Sequence, residues 1–377
     1  MLAECIAGRA PAALPEALTR AECTGVLFGI LAEGLADRFE PALCDAYARL
    51  FAQAIPGADL AHYERVRRPR PVEFEPRRVF VLSRVTLGAD IAVTSVLMAA
   101  AKERFPKAEI VFAGPRKNFE LFAREPRLRH ANVDYHRGTM EDRLRAWHDL
   151  QKIADDLIVD PDSRLTQLGL LPVGSDDRYR LFESRGYGGE SDRPLSELAA
   201  SWAEETFGVT GAKPYLALFA SGTVHAESSA PHVAVSFGVG DNPAKRIPDP
   251  FEADLLRLLA GRGIPIVVDR GAGGAEAGRV ERAVAAAGID VAYWDGSFAG
   301  FAKMIATASL YVGYDSAGQH AAAACGVPLI CVFAGFPSER MFQRWRPVAR
   351  AVAPAHVIRV DNPDPVEVLE RVRRALG

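Results

Sequence analysis

Cysteine is scarce in this chain of 377 residues: there are five, at Cys5, Cys23, Cys44, Cys325 and Cys331. An odd number with no CxxC spacing indicates neither a disulfide framework nor a zinc site. No run approaches the ~20 apolar residues of a membrane span. The start, MLAECIAGRAP, has no basic end leading into a long apolar core, so no secretory signal is expected. An excess of one charge is missing too: the formal net charge is -3, which removes the global cationic field of a nucleic-acid binder. No Gly-x-Ser-x-Gly elbow is present, which argues against a serine hydrolase. Asp160-Pro161-Asp162 has the spacing of a metal-binding DxD motif, but proline follows the strand directly and the triplet reads as a turn, so no metal site is expected. These absences leave a globular, cytoplasmic protein of a reducing compartment.

What is present is alternation. Residues 1 to about 70 carry helical spacing, in TGVLFGILAEGLADRF and PALCDAYARLFAQAI. RVRRPRPVEFEPRR follows and reads as a linker, whose six arginines between Arg65 and Arg78 could face solvent or an anionic membrane surface. From Arg78 short apolar runs alternate with helical segments: RRVFVLS, AEIVFAG, VDYHR and DDLIVDP as strands, with an irregular stretch from Asp162 to Phe219. A second series begins at His232, with HVAVSFG, IPIVVDRG, VAYW, LYVGY, PLICVF and HVIRV as strands. Such alternation predicts an α/β fold of two doubly wound parallel sheets facing a cleft, preceded by a helical region. The expected segments are 1–75, 76–225 and 226–377, with the last helix packing back on the first domain. Ligands of such sheets sit beyond the carboxyl ends of the strands.

Four places could carry chemistry. Asp90, at the first strand-to-helix junction, could take a proton from a hydroxyl or cap the helix. Arg84 and Thr86 on the same loop could meet an acceptor or solvent. In SFGVGDNPAKRIPDP, Gly238 and Gly240 let a ligand approach the backbone and Lys245 offers a point charge to a phosphate. Pro243 stands where a third glycine would complete GxGxxG, so a nicotinamide cofactor is not favoured. Asp269 or Glu276, flanking a glycine-rich turn, could bond a ribose hydroxyl or belong to a plain connection. In VGYDSAGQHAAAACGVPLICVF a strand turns sharply into a helix of small residues. Backbone N–H groups at Ser316, Ala317 and Gly318 make that turn a seat for an anion. Asp315 could touch substrate or fix the loop, and His320 could cap the turn or pack as a neutral core histidine.

The stretch RRVFVLSRVTLGADIAVTSVLMAAAKERFPKAEIVF resembles the opening of glycosyltransferase family 9, the heptosyltransferases of lipopolysaccharide core assembly. Counting back from Phe105-Pro106 puts Asp90 on the family's aspartate, with Ala89 in place of glycine. DNPAKRIP is similar to its lysine loop, with Lys245 on the lysine and Ile247 in place of tryptophan. YDSAGQHAAA is similar to its Asp-Ser-Gly-Pro-x-His stretch, with Ala317 and Gly318 in place of Gly-Pro. The resemblance spans roughly residues 78 to 377. It implies the GT-B architecture of two Rossmann-like domains. It also implies inverting, metal-independent and cofactor-free transfer of a sugar from a nucleotide diphosphate, commonly ADP-heptose, to a hydroxyl of a glycan or glycolipid. In that scheme Asp90 is the base, Lys245 and the backbone from Ser316 to Gly318 hold the diphosphate, and His320 supports that end. The alternative is a non-catalytic sugar-nucleotide-binding protein that keeps the fold.

Overall fold

The computed structural model describes residues 1–219, 230–240, 242–271, 273–348 and 353–377. The chain divides into two compact units, one formed by Met1–Pro214 with Pro337–Trp345 and the other by Tyr215–Phe336 with Arg346–Gly377. The boundary expected at 225 and 226 lies outside the described residues.

The sheet of the first unit comprises β1 (Arg78–Leu82), β2 (Glu109–Gly114), β3 (Leu128–Asn132), β4 (Leu157–Asp160) and β5 (Tyr179–Leu181). All pairings are parallel, in the order β3-β2-β1-β4-β5. Strands buried on both faces read as continuous apolar runs, and β1, β2 and β4 were legible for that reason. The edge strands were not. β3 lies just before the expected VDYHR and is buried only at Leu128, and β5, only three residues long, falls in the stretch expected to be irregular.

The helical start is not a separate body. In α1 (Pro41–Phe51), Leu43, Tyr47, Leu50 and Phe51 are buried on one stripe behind a proline in the first turn. They share a single core with Leu27, Phe28 and Leu31 and with Phe80, Leu82 and Val111 of the sheet. Backbone and hydroxyl bonds stitch the two together, Asp59 N to Leu170 O at 2.9 Å and Tyr47 Oη to Gln167 O at 3.1 Å. The arginine-rich connector is also absorbed in part. Arg67 pairs with Asp45 at 2.7 Å and Glu183 at 3.2 Å. Arg70 donates to the Tyr179 carbonyl at 3.2 Å, and Arg65 and Arg78 pair with Asp176 and Asp155. Arg67 and Arg70 are thus tied into the unit, while Arg65, Arg68 and Arg77 remain exposed, so the connector is solvated only in part.

The second sheet comprises β6 (Val233–Ser236), β7 (Ile266–Asp269), β8 (Ala292–Trp294), β9 (Leu310–Tyr314), β10 (Leu329–Phe333) and β11 (Ala355–Arg359). Its order is β11-β10-β9-β6-β7-β8, again all parallel. Strand order reverses between β6 and β9, where Ser236 pairs with Gly313.

The segment that joins the first unit late in the chain is Glu339–Trp345. The last helix, Pro365–Leu376, instead places Val368 and Val372 in the second core. Arginines explain the difference. Arg344, 1% exposed, donates to the carbonyls of Arg193, Tyr187 and Gly189 at 3.2 to 3.3 Å, and Arg340 donates to the Phe39 carbonyl at 2.6 Å. Burial lowers the Arg344 pKa to about 10. Replacing it removes three hydrogen bonds made by one buried guanidinium. Arg344→Met is expected to destabilise the protein by about 3 kcal/mol, read by urea denaturation; a loss below about 0.5 kcal/mol would show that these bonds carry no net stability.

Candidate active site

In the second unit, four carboxyl-terminal strand ends converge on the reversal of strand order, which is where doubly wound sheets bind ligands. β9 ends at Tyr314, and Asp315 follows with its N–H bonded to the Val332 carbonyl at 3.1 Å. Its carboxylate, almost fully buried, accepts from Lys245 Nζ at 2.6 Å on Oδ2 and from the Gln319 amide on Oδ1. Lys245 Nζ also reaches the Asp315 carbonyl at 3.2 Å. Asp315 therefore fixes the loop, one of the two roles open to it from sequence, and joins the lysine motif to the anion motif 70 residues later.

The helix that starts here, α2 (Ala317–Cys325), has Ser316 at its N-cap with φ −159° and ψ −173°, and the serine side chain makes no capping bond. The first-turn N–H groups thus lack a side-chain cap and carry the positive end of the helix dipole. A Cβ at residue 318 would overlap the Tyr311 hydroxyl, so the helix can start here only with glycine. His320, in the same turn, is buried beside Gln319, with 3.4 Å between Nε2 and Nε2. Burial is the main cause that lowers its pKa to about 4, Asp315 opposing and Lys245 assisting. It is a neutral imidazole at pH 7 and offers an anion no charge.

The Lys245 loop is held from below. Gly335, at φ +66°, passes so close that a Cβ there would lie 2.5 Å from the Ala244 carbonyl carbon, and Asn242 Nδ2 donates to the Gly335 carbonyl at 3.1 Å. Ile247, where the resemblance places tryptophan, is fully buried, its N–H bonded to Tyr314 Oη at 3.2 Å. The buried Glu252 accepts from that tyrosine at 3.2 Å, from Arg246 at 3.1 Å, and from Arg279. Burial raises the Glu252 pKa and the arginines oppose it. Arg279 also donates to the Phe237 carbonyl at 2.7 Å, tying β6 to the lysine loop.

Around the adjoining strand ends, Asp269 accepts from Ser236 Oγ at 3.2 Å and from Gly271 N at 3.1 Å, and burial raises its pKa. Glu276 lies in a slot between two glycines: a Cβ on Gly238 would come within 2.9 Å of its carboxylate, and one on Gly271 within 2.5 Å. Both candidate ribose ligands thus stand at the same edge as the anion turn. Gly240, at φ +57°, has nothing near its Cβ position. Sequence reasoning missed Tyr311, Gln319, Gly335, Glu252 and Arg279, of which only Gly335, a glycine directly after a strand, left a signal.

The first unit gives Asp90 a different setting. It lies in the helical run 87–104, at the first residue of a wide π-type turn, and is completely buried. Oδ2 accepts from Ser83 Oγ at 2.5 Å and Asn118 Nδ2 at 2.6 Å, and Oδ1 from Arg84 N at 2.7 Å and Thr94 Oγ1 at 2.6 Å. Burial nevertheless raises its pKa, the hydrogen bonds opposing. The N-cap position belongs to Thr86, which is exposed and makes no capping bond. Arg84 is half-buried, donates to the Pro161 carbonyl at 2.5 Å and Ser184 Oγ at 2.7 Å, and lies 5.9 Å from the Trp345 ring. Among the described residues no three His, Cys, Asp or Glu are grouped to hold a metal ion.

With this geometry in hand, residues 177–362 match the sequence model of glycosyltransferase family 9 (heptosyltransferase). Over that stretch the chain belongs to glycosyltransferase family 9. Solved structures agree on the fold. The ADP-heptose LPS heptosyltransferase II of E. coli is 18% identical, with 79% of this chain and 98% of that one covered and a TM-score of 0.54. A family 9 glycosyl transferase from Veillonella parvula is 15% identical, with 80% and 93% covered and a TM-score of 0.57. E. coli heptosyltransferase WaaC with ADP is 17% identical, with 79% and 96% covered and a TM-score of 0.54. No curated protein matches. The fold is GT-B, and the family makes this chain a glycosyltransferase.

The lowered pKa of His320 has a measurable consequence. A histidine whose pKa falls from the ordinary value of 6.5 to about 4 on folding stabilises the fold above pH 6.5, and that stability is lost as pH falls toward 4. The stability gap between this glycosyltransferase and its His320→Asn variant is expected to shrink by about 3 kcal/mol between pH 7 and pH 4. Urea denaturation at both pH values checks it; a gap independent of pH would mean that His320 titrates normally.

Proposed function

We propose that this glycosyltransferase moves a heptose-like sugar from a nucleoside diphosphate, with ADP the first candidate, to a hydroxyl of a glycan or glycolipid, inverting the anomeric carbon and using no metal. One observation carries the donor half: an uncapped helix N-terminus at Ser316–Gly318, with the Lys245 ammonium one residue away on the Asp315 carbonyl. Backbone N–H groups and an ammonium replace the charge a divalent ion would bring to a departing diphosphate. Asp269 and Glu276, at the adjoining strand ends, suit the ribose. The ADP-heptose named for the E. coli relative supports the choice of nucleotide. A glycolipid acceptor would bring the enzyme to a membrane surface; among the described residues no helix is long and apolar enough to cross one.

The acceptor half rests on Asp90. Its raised proton affinity is the direction a general base needs. Its four hydrogen bonds fill its lone pairs, so reaction requires the Ser83 or Thr94 hydroxyl to turn away as the acceptor arrives. Asp90→Asn keeps the shape of the side chain and removes the base. Transfer is expected to fall by about 10²–10⁴ with the fold retained. Transfer within a few-fold of the parent, together with a lowered melting temperature, would make Asp90 an anchor of the turn that never meets substrate.

The reaction as a whole is tested by following nucleoside diphosphate release from ADP-heptose. Release is expected only with an acceptor present. Lys245→Ala is expected to raise the donor KM by about tenfold or more. Donor binding without release, for every acceptor tried, would favour the non-catalytic alternative. An unchanged donor KM in Lys245→Ala would remove the lysine from the diphosphate site.

A further inference from the structure

Tyr311 is fully buried on β9, beneath the first turn of α2. Its hydroxyl lies beside those of Ser316 and Ser236 yet meets hydrogen-bond geometry with no group. A buried hydroxyl without a partner is destabilising, and phenylalanine would fill the same volume without that penalty. Gly313 and Gly318 leave room for the tip of this side chain. A Cβ at residue 313 would lie 2.5 Å from its oxygen and 2.6 Å from the Ser236 carbonyl oxygen, and one at residue 318 would overlap both the oxygen and the ring. Ser236 and Gly313 face each other across the reversal of strand order. The oxygen therefore sits at the floor of the crevice, under the serine whose own hydroxyl makes no capping bond.

We propose that the Tyr311 hydroxyl acts through Ser316, as a positioning residue for the leaving diphosphate of the donor. The step rests on the donor reading given above. When the diphosphate takes its place on the N–H groups of α2, Ser316 turns its proton outward to a phosphate oxygen. Its Oγ then presents lone pairs inward, and Tyr311 donates to them. The idle hydroxyl of the free protein becomes a hydrogen-bond donor in the complex, and a two-member chain of hydroxyls aligns the serine. Burial also raises the phenol pKa far above its ordinary value, so the group remains a protonated donor at every working pH.

Calorimetric titration of adenosine, uridine and guanosine diphosphates into the full-length protein tests this, with Tyr311→Phe, Ser316→Ala and the double variant alongside. Tyr311→Phe is expected to melt at the parent temperature or higher, because it removes an unsatisfied polar group. Its Kd for the preferred nucleotide is expected to rise by roughly three- to tenfold. Since Tyr311 works through Ser316, the double variant should bind no worse than Ser316→Ala alone. Equal affinity of Tyr311→Phe and the parent would overturn the inference, as would losses that simply add in the double variant. A parent that binds none of the three nucleotides would overturn the donor reading and this inference with it, an outcome distinct from binding that is indifferent to Tyr311.

Discussion

The pairing of Asp315 with Lys245 and Gln319 is the constraint on which the second unit depends. One buried carboxylate accepts an ammonium from a loop after β6 and an amide from the first turn of α2, while its own N–H bonds to β10. Three segments distant in sequence are thereby fixed around one strand end. Asp315 holds the lysine from below and Ser316 supplies no cap, so the helix N-terminus has no side-chain cap and a cation at its edge. On the proposed donor reading, that arrangement would complement a diphosphate before any ligand arrives. Removing the carboxylate would leave the half-buried Lys245 without its counter-charge.

The first unit uses the same device with a different result. Asp90, in the helical run after β1, and Asp160, at the end of the neighbouring β4, are both completely buried. Asp90 is caged by two hydroxyls, an amide and a backbone N–H. Asp160 accepts from Ser163 N at 2.7 Å and from the hydroxyls of Thr166 and Tyr179. Neither has a cationic partner among these contacts, and burial raises the proton affinity of both. On the proposed reading, Asp90 is the one of the two that accepts a proton, once one of its donors swings away. The π-type turn that begins at Asp90 is the kind of local irregularity that places a side chain where a regular helix would not.

Much of this was legible in the chain itself. The buried strands declared themselves as apolar runs, and the anion turn could be read because its parts lie within six residues, from Asp315 to His320. The asparagine that completes the Asp90 cage lies 28 residues away, and the lysine that pairs with Asp315 lies 70 away. Contacts of that range leave no periodic trace. Tyr311 looked like any strand aromatic, and only its place beside the hydroxyls of Ser316 and Ser236 draws attention to its oxygen. The helical start was read correctly as helix but wrongly as separate, because amphipathic spacing reports a buried face without saying what covers it. The arginines of the connector likewise carried no mark of their partners. Edge strand β3 escaped because a half-exposed strand mixes polar and apolar residues, and β5 because its buried run is only three residues long.

The central claim is that α2 presents its first N–H groups to a diphosphate. Amide NMR of the isotope-labelled protein, titrated with ADP, tests it most directly. The account predicts the largest shifts at the N–H groups of Ser316, Ala317 and Gly318, saturating together as a single site fills. Saturable ADP binding that leaves those three amides unmoved and shifts others would contradict it.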